Sequence, residues 1–261
     1  MKLYPVEAVV LHQKPMRGAD KIIIMFTREY GKLRAVAHGA GKSSSRKRGA
    51  VQPLCHSRLL LYRGKEIDTV NQCEAITFFT RLRDHLEILA LAVYICELVD
   101  ALTGEGDQNE PLFILLLTTL GWLNQPQVDL PGAERLVAGF EIKALGLTGY
   151  LPELNVCVNC GGDITGHTLF SAHEGGVICP KCIGEGYRPM GTVVKPQTVE
   201  LLRQLIATNP GGLTKLTPQE AVFNQVKKLN KALLRHNLEK KAKSLDFLES
   251  LHKNPRNWGK Y

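Results

Sequence analysis

Residues 6–38 read VEAVVLHQKPMRGADKIIIMFTREYGKLRAVAH. Val6, Ala8 and Val10 alternate with Glu7 and Val9, Ile22–Phe26 is a short β-rich run, and Gly31 breaks the chain before Lys32–His38. There Leu33, Ala35 and Ala37 alternate with Lys32, Arg34 and Val36, the period-two pattern of half-buried strands. Working outward, a loop at Gly39–Gly49 is rich in Gly, Ser, Lys and Arg. A strand around Cys55–Tyr62, a turn at Arg63-Gly64-Lys65 and a strand around Glu66–Cys73 follow. Five short strands in this length predict a small closed barrel, for which the OB-fold is the candidate. Such barrels hold single strands through a basic groove and aromatic faces on which bases stack. Phe26, Tyr30 and Tyr62 are candidates for stacking, and a core or rim role is open to each.

From about residue 81 the pattern turns helical, so the class is α+β. Leu86, Leu89, Ala90 and Val93 mark one helix face, while Ile88, Leu91 and Ile95 make the helix apolar nearly all round, as in a core. Pro111 opens a second helix through Trp122 and Pro131 a third through Leu145, proline being suited to a first turn. Gly146 and Gly149 end the third, and Gly184–Gly191 is expected to be irregular. Further helices are expected at about 196–208 and 218–236, with a last one near 240–251. The expected organisation is an OB-fold nucleic-acid-binding domain at 1–80 and a helical domain at 81–261. A zinc-ribbon-like module is inserted in the latter at about 152–188.

That module rests on Cys157, Cys160, Cys179 and Cys182, in the pattern Cys-x2-Cys-x18-Cys-x2-Cys. Each pair can form a knuckle offering two thiolates, and four sulfurs around one centre suit tetrahedral Zn2+. A redox dithiol pair and an iron–sulfur cluster remain as alternatives. A catalytic zinc keeps one position open for water, whereas four thiolates close the sphere, so the zinc is expected to be structural. Zinc deaminases carry His-x-Glu ahead of Pro-Cys-x-x-Cys. Here His173 and Glu174 are adjacent and Pro180 lies inside the second pair, so that chemistry is excluded. His167 and His173 read as exposed hairpin histidines.

The net charge is +8, and between Tyr30 and Lys65 there is no acidic residue. That stretch holds nine cations: Lys32, Arg34, Lys42, Arg46, Lys47, Arg48, Arg58, Arg63 and Lys65. Such a run points to a polyanion partner. Lys32 and Arg34 are expected to project from a strand toward phosphates. Lys42, Arg46, Lys47 and Arg48 sit on a loop expected to be mobile, with Arg63 and Lys65 completing the candidate set. A second cluster comprises Lys227, Lys228, Lys231, Arg235, Lys240, Lys241 and Lys243, opposed by Glu239 alone. Gly39-Ala40-Gly41-Lys42-Ser43 lacks the glycine spacing of a phosphate-binding loop, and no nucleophile constellation is present, so no enzyme activity is expected.

Cys55, Cys73 and Cys96 lie among apolar residues and read as buried free thiols, pointing to a reducing cytoplasm. The N-terminus meets Glu7 before any apolar core of signal-peptide length. The runs Ile88–Cys96 and Leu112–Leu117 are too short to span a bilayer, so no membrane partner is expected.

The stretch AVVLHQKPMRGADKIIIMFTREYGKLRAVAHGAGKSSSRKRGAVQPL, with FTREYGKL at Phe26–Leu33, resembles the N-terminal domain of the bacterial RecO family of recombination mediators. The likeness continues in FEIKALGLTGYLPELNVCVNCG and returns in LLRHNLEKKAKSLDFL. One departure is Gly18, where the family commonly has an acidic residue; it is read as a change in turn packing. The resemblance implies an OB-fold followed by a helical domain with a zinc module. It also implies binding of single- and double-stranded DNA, annealing of complementary strands, and help in loading recombinase onto DNA covered by single-strand-binding protein. Implied partners are a RecR-type mediator and the acidic C-terminal tail of single-strand-binding protein, in a cytoplasmic, nucleoid-associated setting. From the residues alone, an RNA- or transcription-associated zinc-ribbon protein remains the alternative. For the acidic tail, a pocket near Arg135, Lys143 or the C-terminal lysines is expected.

Overall fold

The structure, a computed structural model, describes residues 2–238 and divides into two compact units, one through Leu130 and one from Pro131. The expected helix near 240–251, with Lys240, Lys241 and Lys243, lies outside the described residues.

In the first unit β1 (Leu3–Pro15), β2 (Lys21–Thr27), β3 (Gly31–Ala37), β4 (His56–Tyr62) and β5 (Asp68–Thr77) form a closed barrel in the order β1-β2-β3-β5-β4. The pairs are antiparallel except β3 with β5, which pair in parallel at Ala35↔Asp68 and Val36↔Thr69. This is the expected OB-fold. The alternating residues Val6, Ala8, Ile23, Met25, Ala35, Ala37, Leu59, Leu61 and Val70 fill its interior. Ala40 and Val51, from the connection between β3 and β4, join them.

The outer face of β1–β3 is buried as well. Val9, Leu11, Ile24, Phe26 and Val36 are at most 5% exposed, although none belongs to the interior cluster. The reason lies in α1 (Leu86–Leu102) and α2 (Glu110–Leu123), helices of the same unit that reach this face. His12 Nε2 meets Asp100 Oδ2 at 3.1 Å, and the His56 and Phe113 rings meet edge to face. Gly31 shows how close the approach is: its φ is +64° and an added Cβ would stand 1.9 Å from the carbonyl oxygen of Asp107. On α1 the expected face needs correction. Leu86 is 47% exposed, whereas Ala90 of that face is buried together with Ile88, Leu91, Ala92, Ile95, Leu98 and Val99, as expected of a helix apolar nearly all round. A helix apolar nearly all round has too weak a periodicity to reveal which side faces the core.

In the second unit α3 (Leu130–Leu147) ends in a glycine cap: Gly149 has φ +89°, and the Tyr150 amide donates to the Leu145 carbonyl at 2.7 Å. A three-stranded sheet follows, made of β6 (Thr168–Ser171), β7 (Gly176–Ile178) and β8 (Thr192–Val194) in the order β7-β6-β8, with α4 (Pro180–Gly184) after β7. The strand β8 went unread in the sequence because three residues are too few to show a period. Helices α5 (Pro196–Ala207), α6 (Pro210–Leu213) and α7 (Glu220–Asn237) complete the unit. Buried Asn230 of α7 donates to Ala138 O and Glu141 Oε2, both at 2.9 Å, and so fastens α7 to α3.

Candidate metal centre and candidate nucleic-acid interface

The four thiols expected to act together do converge. The sulfurs of Cys157, Cys160, Cys179 and Cys182 lie within 4.8 Å of one another. Cys157–Cys182 and Cys160–Cys179 are each 3.8 Å apart. A tetrahedral ion with bonds of about 2.3 Å to sulfur sets its ligands roughly 3.8 Å apart, so these residues fit such an ion. The first knuckle is closed by the Gly161 amide donating to the Cys157 carbonyl at 2.8 Å, with Gly161 at φ +69°. In the second, Cys179 caps α4 and Pro180 occupies its first turn, which turns Cys182 back toward Cys157. Burial would raise the Cys157 thiol, but donated amides, among them Cys179 N at 3.3 Å, outweigh it and bring it down to about 6. The Asn159 side chain favours the Cys182 thiolate, yet hydrogen bonding to the other sulfurs and desolvation carry it up to about 12. Four sulfurs this close compete for protons, and a divalent cation removes that competition. His173 is 72% exposed and pairs with Glu174, apart from the sulfurs, as expected of a hairpin histidine.

The acid-free stretch divides into two kinds of cation. Lys32 Nζ lies 3.0 Å from Asp100 Oδ1 and donates to the Asp100 carbonyl at 2.6 Å, with its side chain 14% exposed. Arg34 donates to Glu105 Oε2 at 3.0 Å, and Arg28 is bonded to Glu110. Lys47 Nζ donates to the Val70 carbonyl at 2.6 Å. Phe26 has no exposed surface and cannot stack on a base, which leaves it the core role: its face of β2 is the one that α1 and α2 cover. Tyr30 is 38% exposed and meets Tyr4 edge to face at 5.2 Å, and Tyr62 is 45% exposed. By contrast Lys42, Arg46, Arg48, Arg63 and Lys65 are exposed.

The loop carrying Lys42–Arg48 is wound into turns. Ser45 N donates to Lys42 O at 3.1 Å and Arg48 N to Ser45 O at 3.2 Å, with Ala40 and Val51 anchoring the ends in the barrel. It also abuts the β1–β2 turn. Gly41 N donates to Ala19 O at 2.7 Å, while Asp20 accepts from Gly39 N at 2.7 Å and pairs with His38 at 2.6 Å. The Gly39 amide, followed by the His38 contact, holds the Asp20 carboxyl below its ordinary range. Gly18 in this turn has φ +67°, which accounts for a glycine there. One end of the barrel therefore gathers Lys14 and Arg17, exposed, and half-buried Lys21 beside Lys42, Arg46 and Arg48. None of the six forms an ion pair among the described residues. Lys14, Arg17 and Lys21 escaped the sequence reading because Asp20 interrupts their charge run. The signal available was the run Lys14-Pro15-Met16-Arg17-Gly18 at a turn.

In the second unit Arg135 donates to Thr214 O at 2.8 Å and Lys143 to Thr208 O, with burial lowering the Lys143 pKa. Both are thereby committed to backbone carbonyls. A groove of about 520 Å³ is lined by Pro196, Glu200, Leu201, Arg203, Gln204 and Val222 among others, and its arginine faces Glu200. Among the described residues no helix is long and apolar enough to cross a membrane.

Residues 1–79 match the family described as Recombination protein O N terminal, and residues 83–246 that described as Recombination protein O C terminal. The DNA repair protein RecO of Pelotomaculum thermopropionicum is 39% identical over 259 residues, covering 99% of this chain and 98% of that protein. Those of Desulforamulus reducens and Desulforudis audaxviator are 37% and 40% identical over 254 and 251 residues, covering 97% and 96% of this chain and 96% and 98% of theirs. Barrel, helices and cysteine module thus fall inside two matched segments that leave few residues out, and the chain belongs to the RecO family.

Proposed function

We propose that this protein is a DNA repair and recombination mediator that works by binding. It takes single- and double-stranded DNA, anneals complementary strands, and helps load recombinase onto DNA coated with single-strand-binding protein. Residues 1–80 act as the DNA-binding domain and 81–261 as the helical domain. The observation that carries this reading is the cationic end of the barrel, where Asp20, engaged by Gly39 N and His38, joins two loops and six cations form no ion pair among the described residues. Annealing two polyanions requires suppressing their repulsion, and a fixed array of cations does so without reading bases, so binding is largely sequence-independent. Lys42, Arg46, Arg48, Arg63 and Lys65 carry the contacts, joined by Lys14, Arg17 and Lys21. Lys32 and Arg34 contribute by holding β3 to the α1–α2 segment, and Lys47 by holding the β3–β4 loop to β5.

Cys157, Cys160, Cys179 and Cys182 would hold Zn2+, which when bound cross-links the two knuckles and braces the second unit. Partners in this reading are a RecR-type mediator and the acidic C-terminal tail of single-strand-binding protein, in the cytoplasm at the nucleoid. The groove at Leu201 and Val222 has apolar walls, but its arginine is paired, so the tail is not assigned to it. The test is strand annealing on DNA coated with single-strand-binding protein, with and without its acidic tail, alongside affinities for single-stranded DNA, duplex DNA and RNA. Annealing that needs the tail supports the reading. Tight RNA binding without annealing would favour a transcription-associated zinc-ribbon protein.

A further inference from the structure

An anion stands in the middle of the cationic end of the barrel. The β2–β3 ladder stops at Lys21↔Ala37, and past that pair the chain enters the β1–β2 turn on one side and the β3–β4 loop on the other. Without further bonds the two segments would be free to part, and Asp20 carries the pairing on. Its Oδ1 accepts from Gly39 N at 2.7 Å and its Oδ2 meets His38 Nδ1 at 2.6 Å, while Gly41 N donates to Ala19 O at 2.7 Å beside them. The turn also closes on Asp20, whose carbonyl accepts from Met16 N at 3.0 Å. Arg17 and Lys21 flank Asp20 in the turn, and Lys42 follows Gly41, near enough for its charge to favour the ionised carboxyl. Gly41 leaves this joint little slack: an added Cβ would stand 2.9 Å from Ala19 O and 3.3 Å from Ala19 C.

Two effects of opposite sign meet in this carboxylate. It repels phosphate, yet it fixes where Arg17 and Lys21 stand relative to Lys42, Arg46 and Arg48. The magnitudes decide between them. One carboxylate about 8 Å from a phosphate in water changes affinity only about two-fold, and salt screens part of that. Each phosphate neutralised on a single strand adds about 0.7 to the salt slope, which is about five-fold in affinity at about 0.1 M salt. We propose that Asp20 is a positioning residue for DNA. Despite its charge it raises affinity, because it locks the β1–β2 turn to the β3–β4 loop so that the cations of both meet one DNA together. This rests on the DNA-binding reading and deepens it.

The experiment measures affinity of the full chain for a mixed-sequence single strand and for the matching duplex across a salt series. Asp20→Ala, Asp20→Asn and Gly41→Ala are compared with the unaltered chain, and the melting curve of each is recorded. Asp20→Ala takes the net charge from +8 to +9 but removes the joint. It should bind a single strand about five-fold more weakly, with the slope shallower by about 0.7 for each phosphate lost. Asp20→Asn keeps an oxygen for Gly39 N without the charge, so it should bind up to about two-fold more tightly than the unaltered chain. Gly41→Ala crowds the Ala19 carbonyl with no change of charge and should resemble Asp20→Ala. Arg17→Ala should cost less in the Asp20→Ala background than alone, a coupling that lost folding stability would not produce. Tighter binding by Asp20→Ala, matching that of Asp20→Asn, means that the carboxylate acts through its charge alone and overturns the proposal. Strictly additive losses with Arg17→Ala overturn it too. Should Asp20→Ala melt too early to be measured, Gly41→Ala decides, and an unchanged affinity and slope there refute the proposal. If the unaltered chain binds neither DNA, the underlying reading fails instead.

Discussion

Replacing Lys32 by methionine separates two roles that one cation could play, contact with phosphate or attachment of α1 to the barrel. Its ammonium lies 3.0 Å from Asp100 Oδ1 with 14% of the side chain exposed, against 35% for Asp100. At that distance the gross attraction is about 5.5 kcal/mol for an effective dielectric of about 20, before desolvation is subtracted. Exposed pairs retain roughly 0–1 kcal/mol net, and breaking a fully buried one costs about 3–5 kcal/mol, so this half-buried pair falls between. A second route starts from Asp100, whose carboxyl is held at about 2 by the His12 hydrogen bond and then by Lys32, against an ordinary 3.8. That gap is worth at most about 2.5 kcal/mol at about 1.36 kcal/mol per pH unit. With a third of Asp100 exposed, screening trims it to roughly 1–1.5 kcal/mol, shared between His12 and Lys32. Adding the loss of a donor to the Asp100 carbonyl, Lys32→Met should destabilise by about 1–2 kcal/mol at pH 7.

Urea unfolding followed against pH tests this. Asp100 has a depressed pKa in the folded state, so its contribution is fully present above about pH 4 and is lost as pH falls toward about 2. The deficits of Lys32→Met and Asp100→Asn should therefore shrink over that window, and the double variant should cost less than the sum of the two. Single-strand affinity and its salt slope should not change. If Lys32→Met unfolds at the same urea concentration as the unaltered chain while the slope of log K against log salt becomes shallower, Lys32 is a phosphate contact and the argument fails.

Four neutralised phosphates on a single strand should give a slope of log K against log salt near −3, and a salt-insensitive affinity would refute the electrostatic account. Charge reversal at Arg17, Arg46 and Arg48 should weaken DNA binding more than reversal at Lys253 and Arg256, positions outside the described residues. Equal losses would remove the loop end from the site. Elemental analysis should find about one zinc per chain, and Cys157→Ser should abolish it and lower the stability of the second unit while leaving much of the DNA affinity. Gly31→Ala sets a Cβ 1.9 Å from Asp107 O at φ +64°, so it should cost on the order of 2 kcal/mol or more in a thermal or urea melt.

The barrel was legible because Val6/Ala8, Ile23/Met25 and Ala35/Ala37 fill its interior on a strict period of two. The cysteine cluster was legible because knuckle geometry is local: a fixed pair spacing and glycines after it do not depend on the rest of the chain. The burial of Phe26 was hidden, because it depends on helices that begin 60 residues later. The joining of the β1–β2 turn to the β3–β4 loop was hidden too. It rests on Asp20, which a charge count registers only as an interruption and which the structure uses to receive Gly39 N and His38.

The same reasoning explains why an acid-free run of sequence is not an acid-free surface. The run from Tyr30 to Lys65 contains no carboxylate, yet its first two cations meet Asp100 and Glu105, which the α1–α2 segment brings to β3. Position along the barrel decides the outcome. Lys32 and Arg34 point outward from β3, where Asp100 of α1 and Glu105 beyond its end meet them. Lys42, Arg46 and Arg48 lie past the end of β3, beyond their reach. Charge density in sequence therefore does not say which cations stay unpaired in the fold. Of the nine cations in the run only Lys32 and Arg34 take a carboxylate among the described residues, while Arg58, exposed in mid-strand, stays unpaired along with those of the loop and the β4–β5 turn.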